Sequence, residues 1–168
     1  MRKFLLVASS FAALVGATAL PAGAITPATF TLTAGALSIS APTSSVSLGS
    51  QSVSNGSSTL SGPLGVVTVS DQRGGVTVWT ASVISSAFTP PSGPADPASN
   101  VSYAAGAVTV SGVVAVPVAG SDLTGVTTVV TGASTGISTA SWNPTISVFV
   151  PANFAPGVYG ATITHSVA

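Results

Sequence analysis

The side chains that could do chemistry are few and widely spaced. Beyond residue 24 the ionisable set is Asp71, Arg73, Asp96, Asp122, His165, Tyr103 and Tyr159, with no lysine, glutamate or cysteine. General acid–base work needs two groups within reach of each other and with displaced pKa values, and the spacing brings no second carboxylate to Asp71. A calcium loop needs closely spaced oxygen ligands, and no Asp-x-Asp run occurs. His165 is the only histidine, which excludes multi-histidine metal sites. A serine nucleophile would need a Gly-x-Ser-x-Gly elbow that opens a helix; Gly132-Ala133-Ser134-Thr135-Gly136 has that spacing, but no 3.6-residue apolar period follows it. No catalytic, cofactor-binding or metal-binding residue is assigned, and the chain is not expected to be an enzyme.

What remains are candidates for architecture or partner binding. In Asp71-Gln72-Arg73-Gly74-Gly75 the aspartate and arginine can pair across Gln72, with Asp71 accepting amide hydrogens of its own turn. Arg73 could then lie over the indole of Trp79. Trp79 is expected in the core, because its strand neighbours at the same parity are Ala81 and Val83. Trp142, beside Asn143-Pro144, is balanced between core and a carbohydrate-stacking platform shared with Tyr103. His165 shares parity with Tyr159, Ile163 and Val167, which reads as a partly buried histidine at a sheet end, bonded to backbone.

Composition narrows the partners. The chain opens Met1-Arg2-Lys3, followed by an apolar run from Phe4 to Leu20, Pro21, and the small tripeptide Ala22-Gly23-Ala24. This is the pattern of a secretory signal peptide over residues 1–24, cleaved after Ala24. It leaves one domain over 25–168, with no membrane span and an extracellular, cell-wall or cell-surface destination. The remaining charges are one arginine against three aspartates, a net charge of −2. Nucleic acid and acidic membranes require clustered cations, which one arginine does not supply. Without cysteine the domain has no disulfide to hold it and depends on its own core. Polarity comes instead from 25 serines and 20 threonines in residues 25–168. Neutral hydroxyls leave little repulsion between neighbouring copies, so self-association is cheap for such a surface.

These residues must be carried by strands. Period-2 alternation recurs between Gly, Pro, Asn and Ser breaks, and a 3.6-residue period is almost nowhere seen. The alternation predicts strands over Ala28–Thr33, Leu37–Ala41, Leu64–Ser70, Val76–Ser85, Val101–Tyr103, Ala107–Val118, Val126–Thr131, Thr145–Val150 and Val158–Ala168. Residues 44–61 read as short edge pieces and loop. Asp71–Gly75 reads as the turn of a β-hairpin. Val108, Val110, Val114, Val116 and Val118 are assigned one parity, with a turn or bulge at Gly112. Four prolines make Thr89–Pro97 a surface loop, and a Gly/Ser/Thr connection is expected between Thr131 and Trp142. Eight to ten short strands of this kind indicate an all-β, immunoglobulin-like antiparallel sandwich.

Three stretches also carry a family resemblance: Leu64-Gly65-Val66-Val67-Thr68-Val69-Ser70-Asp71-Gln72-Arg73-Gly74, then Val78-Trp79-Thr80-Ala81-Ser82-Val83, and finally Pro156 to Ala168 with its Thr164-His165-Ser166-Val167-Ala168 end. Together they resemble the WxL-type domains of secreted Gram-positive surface proteins, in a charge-poor, actinobacterial-like form. Ala81 stands where the first Trp-x-Leu has leucine, and His165-Ser166-Val167 stands where the second would fall. The resemblance implies non-covalent association with peptidoglycan or another wall polymer, or with other surface proteins. Trp79, Thr80 and the Asp71, Arg73, Gly74 turn are the positions that carry over.

Overall fold

The computed structural model describes residues 25–168; the expected signal peptide, 1–24, lies outside them. Residues 33–168 form one compact unit, and 25–32 belong to a separate one. The fold is an all-β antiparallel sandwich, as the alternation requires. Its strands are β1 (Leu37–Ser40), β2 (Ser58–Pro63), β3 (Val67–Asp71), β4 (Thr77–Ser85), β5 (Val101–Ala104), β6 (Val108–Pro117), β7 (Gly120–Ser121), β8 (Thr127–Trp142), β9 (Thr145–Val150) and β10 (Ile163–Val167). Among the described residues the only helical element is a 3-10 turn at Ala98–Asn100. The larger sheet joins β1, β3, β8, β4 and β10, with β6 also on β8; the smaller runs β2-β9-β5-β7.

The 16-residue β8 organises the larger sheet. Its residues 138–142 pair with β3 and its residues 127–134 with β4, while β6 pairs along both stretches. A strand has only two hydrogen-bonding edges, so β3 and β4 share one of them and β6 occupies the other. This overturns the expected hairpin. β3 and β4 run in the same direction, end to end along one partner, and residues 72–76 are an excursion between them. Six steps of chain from Asp71 to Thr77 face only four on β8, from Ser138 to Ser134. The excess loops out with Gly74 and Gly75 both at positive φ.

β6 is interrupted at the same level. Its register on β8 shifts between Ser111 and Val113, and Gly112 takes a φ of +70°, with Ile137 oxygen close to where a Cβ would sit. A bulge resets parity, which corrects the single valine stripe. Val108 and Val110 face inward opposite Trp142 and Ala140, while Val114 and Val116 face outward opposite Ala133 and Thr131.

Three other boundaries differ. The expected connection from Thr131 to Trp142 is part of β8, because pairing on both edges over 131–134 and 139–142 keeps the strand extended through the unpaired residues 135–137 between them. Only Ile163–Val167 of the last predicted strand is paired as one, with an isolated bridge between Thr89 and Gly160. Ala28–Thr33 forms no strand, and Phe30 and Leu32 are 85% and 86% exposed.

The inward residues of both sheets form one core. Val67, Val69, Trp79, Ala81 and Val83 come from β3 and β4, and Val129, Val130, Ala140 and Trp142 from β8. They meet Val101, Tyr103, Ile146 and Val148 of β5 and β9. Burying each such side chain stabilises the fold by about 1.5–3 kcal/mol. That is how a chain without disulfides holds together.

Candidate functional site

The structure sorts the candidate residues into two braced interior clusters and one open face. The first cluster fills the excursion between β3 and β4. Asp71 is fully buried and closes a fork on Arg73, accepting from Nε at 2.9 Å on Oδ1 and from Nη2 at 2.9 Å on Oδ2. It also accepts the Arg73 amide at 3.1 Å and the Thr77 hydroxyl at 2.7 Å. Opposite Asp71 and Thr77 on β8 stand Ser138 and Ser134, whose hydroxyls share a 2.7 Å bond inside the sheet. The guanidinium, led by its side-chain bonds, holds the Asp71 carboxyl far below the usual carboxylate range, against the opposing effect of burial. Arg73 does not lie over Trp79. Its Nη2 donates instead to the Val78 carbonyl at 3.0 Å, since a buried carboxylate offers a cation more than a ring face does. The brace therefore clamps the start of β4 to the end of β3.

Trp79 is 2% exposed and lies directly over Gly132, its partner on β8. A Cβ on Gly132 would fall within the indole, against Cε2, Cζ2 and Nε1. Thr80, next to it, faces outward, and its backbone exchanges both hydrogen bonds with Ala168 at 2.8 and 3.1 Å. That pair of bonds holds the end of β10 on the sheet.

The second cluster ties the two sheets together. Trp142 Nε1 donates to the Tyr103 hydroxyl at 2.8 Å, and that hydroxyl lies 3.2 Å from His165 Nε2. An indole can only donate, so the Tyr103 oxygen accepts from Trp142, and the direction of the Tyr103–His165 bond follows the histidine tautomer. Burial lowers the His165 pKa, and burial also raises that of Tyr103 to about 12. His165 is thus bonded to a side chain rather than to backbone. Trp142 and Tyr103 are 2% and 1% exposed, so they lack the free ring face that a stacking platform needs. His165 borders a cleft of about 300 Å³ between the 41–48 segment and residues 161–163, floored by Phe88 and Ile146.

The remaining carboxylates are kept apart. Asp96 is buried and accepts from Asn100 Nδ2 at 2.6 Å; its pKa is raised, by burial first of all. Asp122 is exposed in a local turn and accepts the Thr124 amide and hydroxyl. Among the described residues no three His, Asp or Glu side chains gather as a metal site would require.

Residue-by-residue reading missed the outer face of the larger sheet, because it is assembled from four strands distant in the chain. Opposed residues give a row Ser38–Ser70–Thr139–Ser111 and a second row Ser40–Thr68–Ser141–Thr109, every member a hydroxyl. Beyond the bulge the same face continues as Val78–Ala133–Val114 and Thr80–Thr131–Val116, with Val78 and Val114 71% and 72% exposed. The alternation in each strand signalled the outward hydroxyls, but only register aligns them into rows. No protein-family model matches the chain, and no curated protein or solved structure matches it.

Proposed function

We propose that the chain is a secreted, non-catalytic structural domain of the cell surface, held non-covalently to a wall polymer or to other surface proteins through the outer face of the larger sheet. One observation carries this reading: that face presents two four-residue hydroxyl rows beside exposed valines and no charge. Asp71, Arg73, Asp96, Tyr103 and His165 meanwhile spend their polar atoms on internal bonds. Such a surface associates by hydrogen bonds and apolar contact, both little affected by salt. The signal-peptide pattern of residues 1–24 and the resemblance to WxL-type domains support the same location.

The test is fractionation of the full chain, expressed with its own leader in a Gram-positive host. The expected result is retention in the wall fraction that survives high salt and yields to urea, with Thr139→Lys plus Val114→Lys releasing most of the protein. Recovery in the medium, or retention untouched by the paired lysines, overturns the proposal.

A further inference from the structure

The free edge of β6 and the stretch before β1 carry complementary patterns, and we infer that the segment 29–32 of one copy adds to β6 of a second copy as an antiparallel strand. This deepens the surface-assembly reading by naming a partner, and it rests on the mature chain beginning near Ile25.

β6 is the acceptor. At 10 residues it is the longest edge strand, against 4 for β1, 6 for β2, 2 for β7 and 5 for β10. Its only strand partner among the described residues is β8, so the backbone groups on its far side are free to pair. Edges are ordinarily guarded by lysine, by proline, by a bulge or by shortness. β6 has no charge, its one proline is its last residue, Pro117, and its bulge at Gly112 lies beyond the stretch Val108–Ser111. Val110 faces inward, yet it is 45% exposed. The core is unfinished along this edge.

The donor is the stretch Thr29-Phe30-Thr31-Leu32, which alternates hydroxyl and apolar residues and sits in no strand, with Phe30 and Leu32 exposed. The first half of β6 reads Val108-Thr109-Val110-Ser111, apolar residues inward and hydroxyls outward. Set antiparallel, Leu32 meets Val108, Thr31 meets Thr109, Phe30 meets Val110 and Thr29 meets Ser111. The two apolar side chains then cover the open flank of the core. Thr31 and Thr29 lengthen the two hydroxyl rows by one member each. A slip of one residue puts phenylalanine among the hydroxyls, so the parity is selected. Antiparallel pairing follows the direction of every pair in the sheets and is the more stable per residue.

The acceptor belongs to another copy because of reach. β1 and β6 lie at opposite sides of the larger sheet, with β3 and β8 between them. A strand added outside β6 is four spacings from β1, about 19 Å. The five steps from Leu32 to Leu37 span at most about 18 Å, and the Gly35 amide is already bound to the Gln72 carbonyl at 2.9 Å. The donor leaves from one edge and the acceptor is the other, so the contact is head-to-tail and propagates into chains rather than closing as a two-fold dimer.

A protein without cysteine makes the test clean. The full chain, secreted through its own leader, is prepared as the single variants Thr31→Cys and Thr109→Cys, and the two are mixed in oxidising buffer without cell wall. The expected product is a disulfide-linked heterodimer at least ten-fold above the control pair Thr31→Cys with Thr59→Cys, which lies on the other sheet. The combined Thr31→Cys, Thr109→Cys chain should give a ladder of oligomers, and Phe30→Lys or Val110→Lys should cut the yield at least ten-fold. Thr29→Cys with Ser111→Cys should link more than Thr33→Cys with Ser111→Cys. Yield no higher than the control, a strict monomer by sedimentation at the highest soluble concentration, a Thr109→Cys homodimer that outcompetes the heterodimer, or dominance of the Thr33 pair overturns the inference. Cross-linking without wall retention would leave this inference standing and defeat the wall reading; the converse would do the reverse.

Discussion

Replacing Gly132 by alanine should be among the most damaging one-carbon changes in the protein. The new Cβ would occupy space held by the Trp79 ring, and Trp79 is 2% exposed, so the ring has no free room to retreat into. Overpacking a core by a methyl ordinarily costs about 1–3 kcal/mol. The upper bound is loss of the indole's burial, about 200 Å² at about 25 cal/mol per Å², or about 5 kcal/mol. A contact with Trp79 Cε2 far inside van der Waals separation places the expected cost at about 3–5 kcal/mol, between overpacking and full expulsion. For a domain of this size that lowers Tm by about 10–15 °C. The assay is thermal and urea unfolding of Gly132→Ala against Gly136→Ala, a position on the same strand where a Cβ meets nothing within 4 Å, which should stay within about 0.5 kcal/mol by comparison. Combining Gly132→Ala with Trp79→Leu should recover part of the loss, giving a coupling energy of at least about 1 kcal/mol. Equal behaviour of the two alanine variants, or strict additivity with Trp79→Leu, would refute the placement of the indole over Gly132.

The buried clusters make further predictions. Arg73→Ala leaves Asp71 buried with only the Thr77 hydroxyl and a backbone amide; as Arg73 is itself 33% exposed, stability should fall, but by less than for a fully enclosed pair, read by urea titration at pH 7. Because the Asp71 pKa is depressed in the fold, its contribution is complete above the unfolded value near 3.9 and fades as pH falls below it; acid unfolding monitored by circular dichroism should show that component missing in Asp71→Asn. Tyr103→Phe strands the Trp142 N–H and should cost about 1–3 kcal/mol, measured by the same titration. The lowered His165 pKa means the unfolded chain takes up the proton first, so stability should decline as pH drops below about 6.5, and His165→Gln should flatten that slope.

Alternation made the fold class legible. Trp79, Ala81 and Val83 on one side of Val78, Thr80 and Ser82, and Ile146 and Val148 within β9, lie as their parity dictates. The pairing of Asp71 with Arg73 was legible for a similar reason, since two residues apart in a turn is within reach. Connections were not. Asp-Gln-Arg-Gly-Gly has the local chemistry of a hairpin turn, and what makes it an excursion is the continuous β8 beside it, a partner some sixty residues away. β8 was itself read as broken, because Gly132, Gly136 and their hydroxyl neighbours carry breaker signals that two-edged pairing at 131–134 and 139–142 overrides. The valine stripe of β6 failed at Gly112, where one residue at positive φ exchanges the two faces. The Trp142–Tyr103–His165 chain was invisible because it joins β8, β5 and β10, and nothing local to any of them announces the other two.

The same register accounts for the surface. Natural sheets commonly protect their outer strands with charge, yet charge on one member of a hydroxyl row would stand about 5 Å from its neighbours across three further strands. A lysine at Thr139 would break a row that Ser38, Ser70 and Ser111 continue on either side. A face proposed for close apposition would therefore give up charge as a means of guarding its edge. The edge left without charge, β6, is the one where inward Val110 remains 45% exposed. On the proposed assembly, one further strand there would complete the core and lengthen the rows together, which would give the uncharged face and the open edge a single cause.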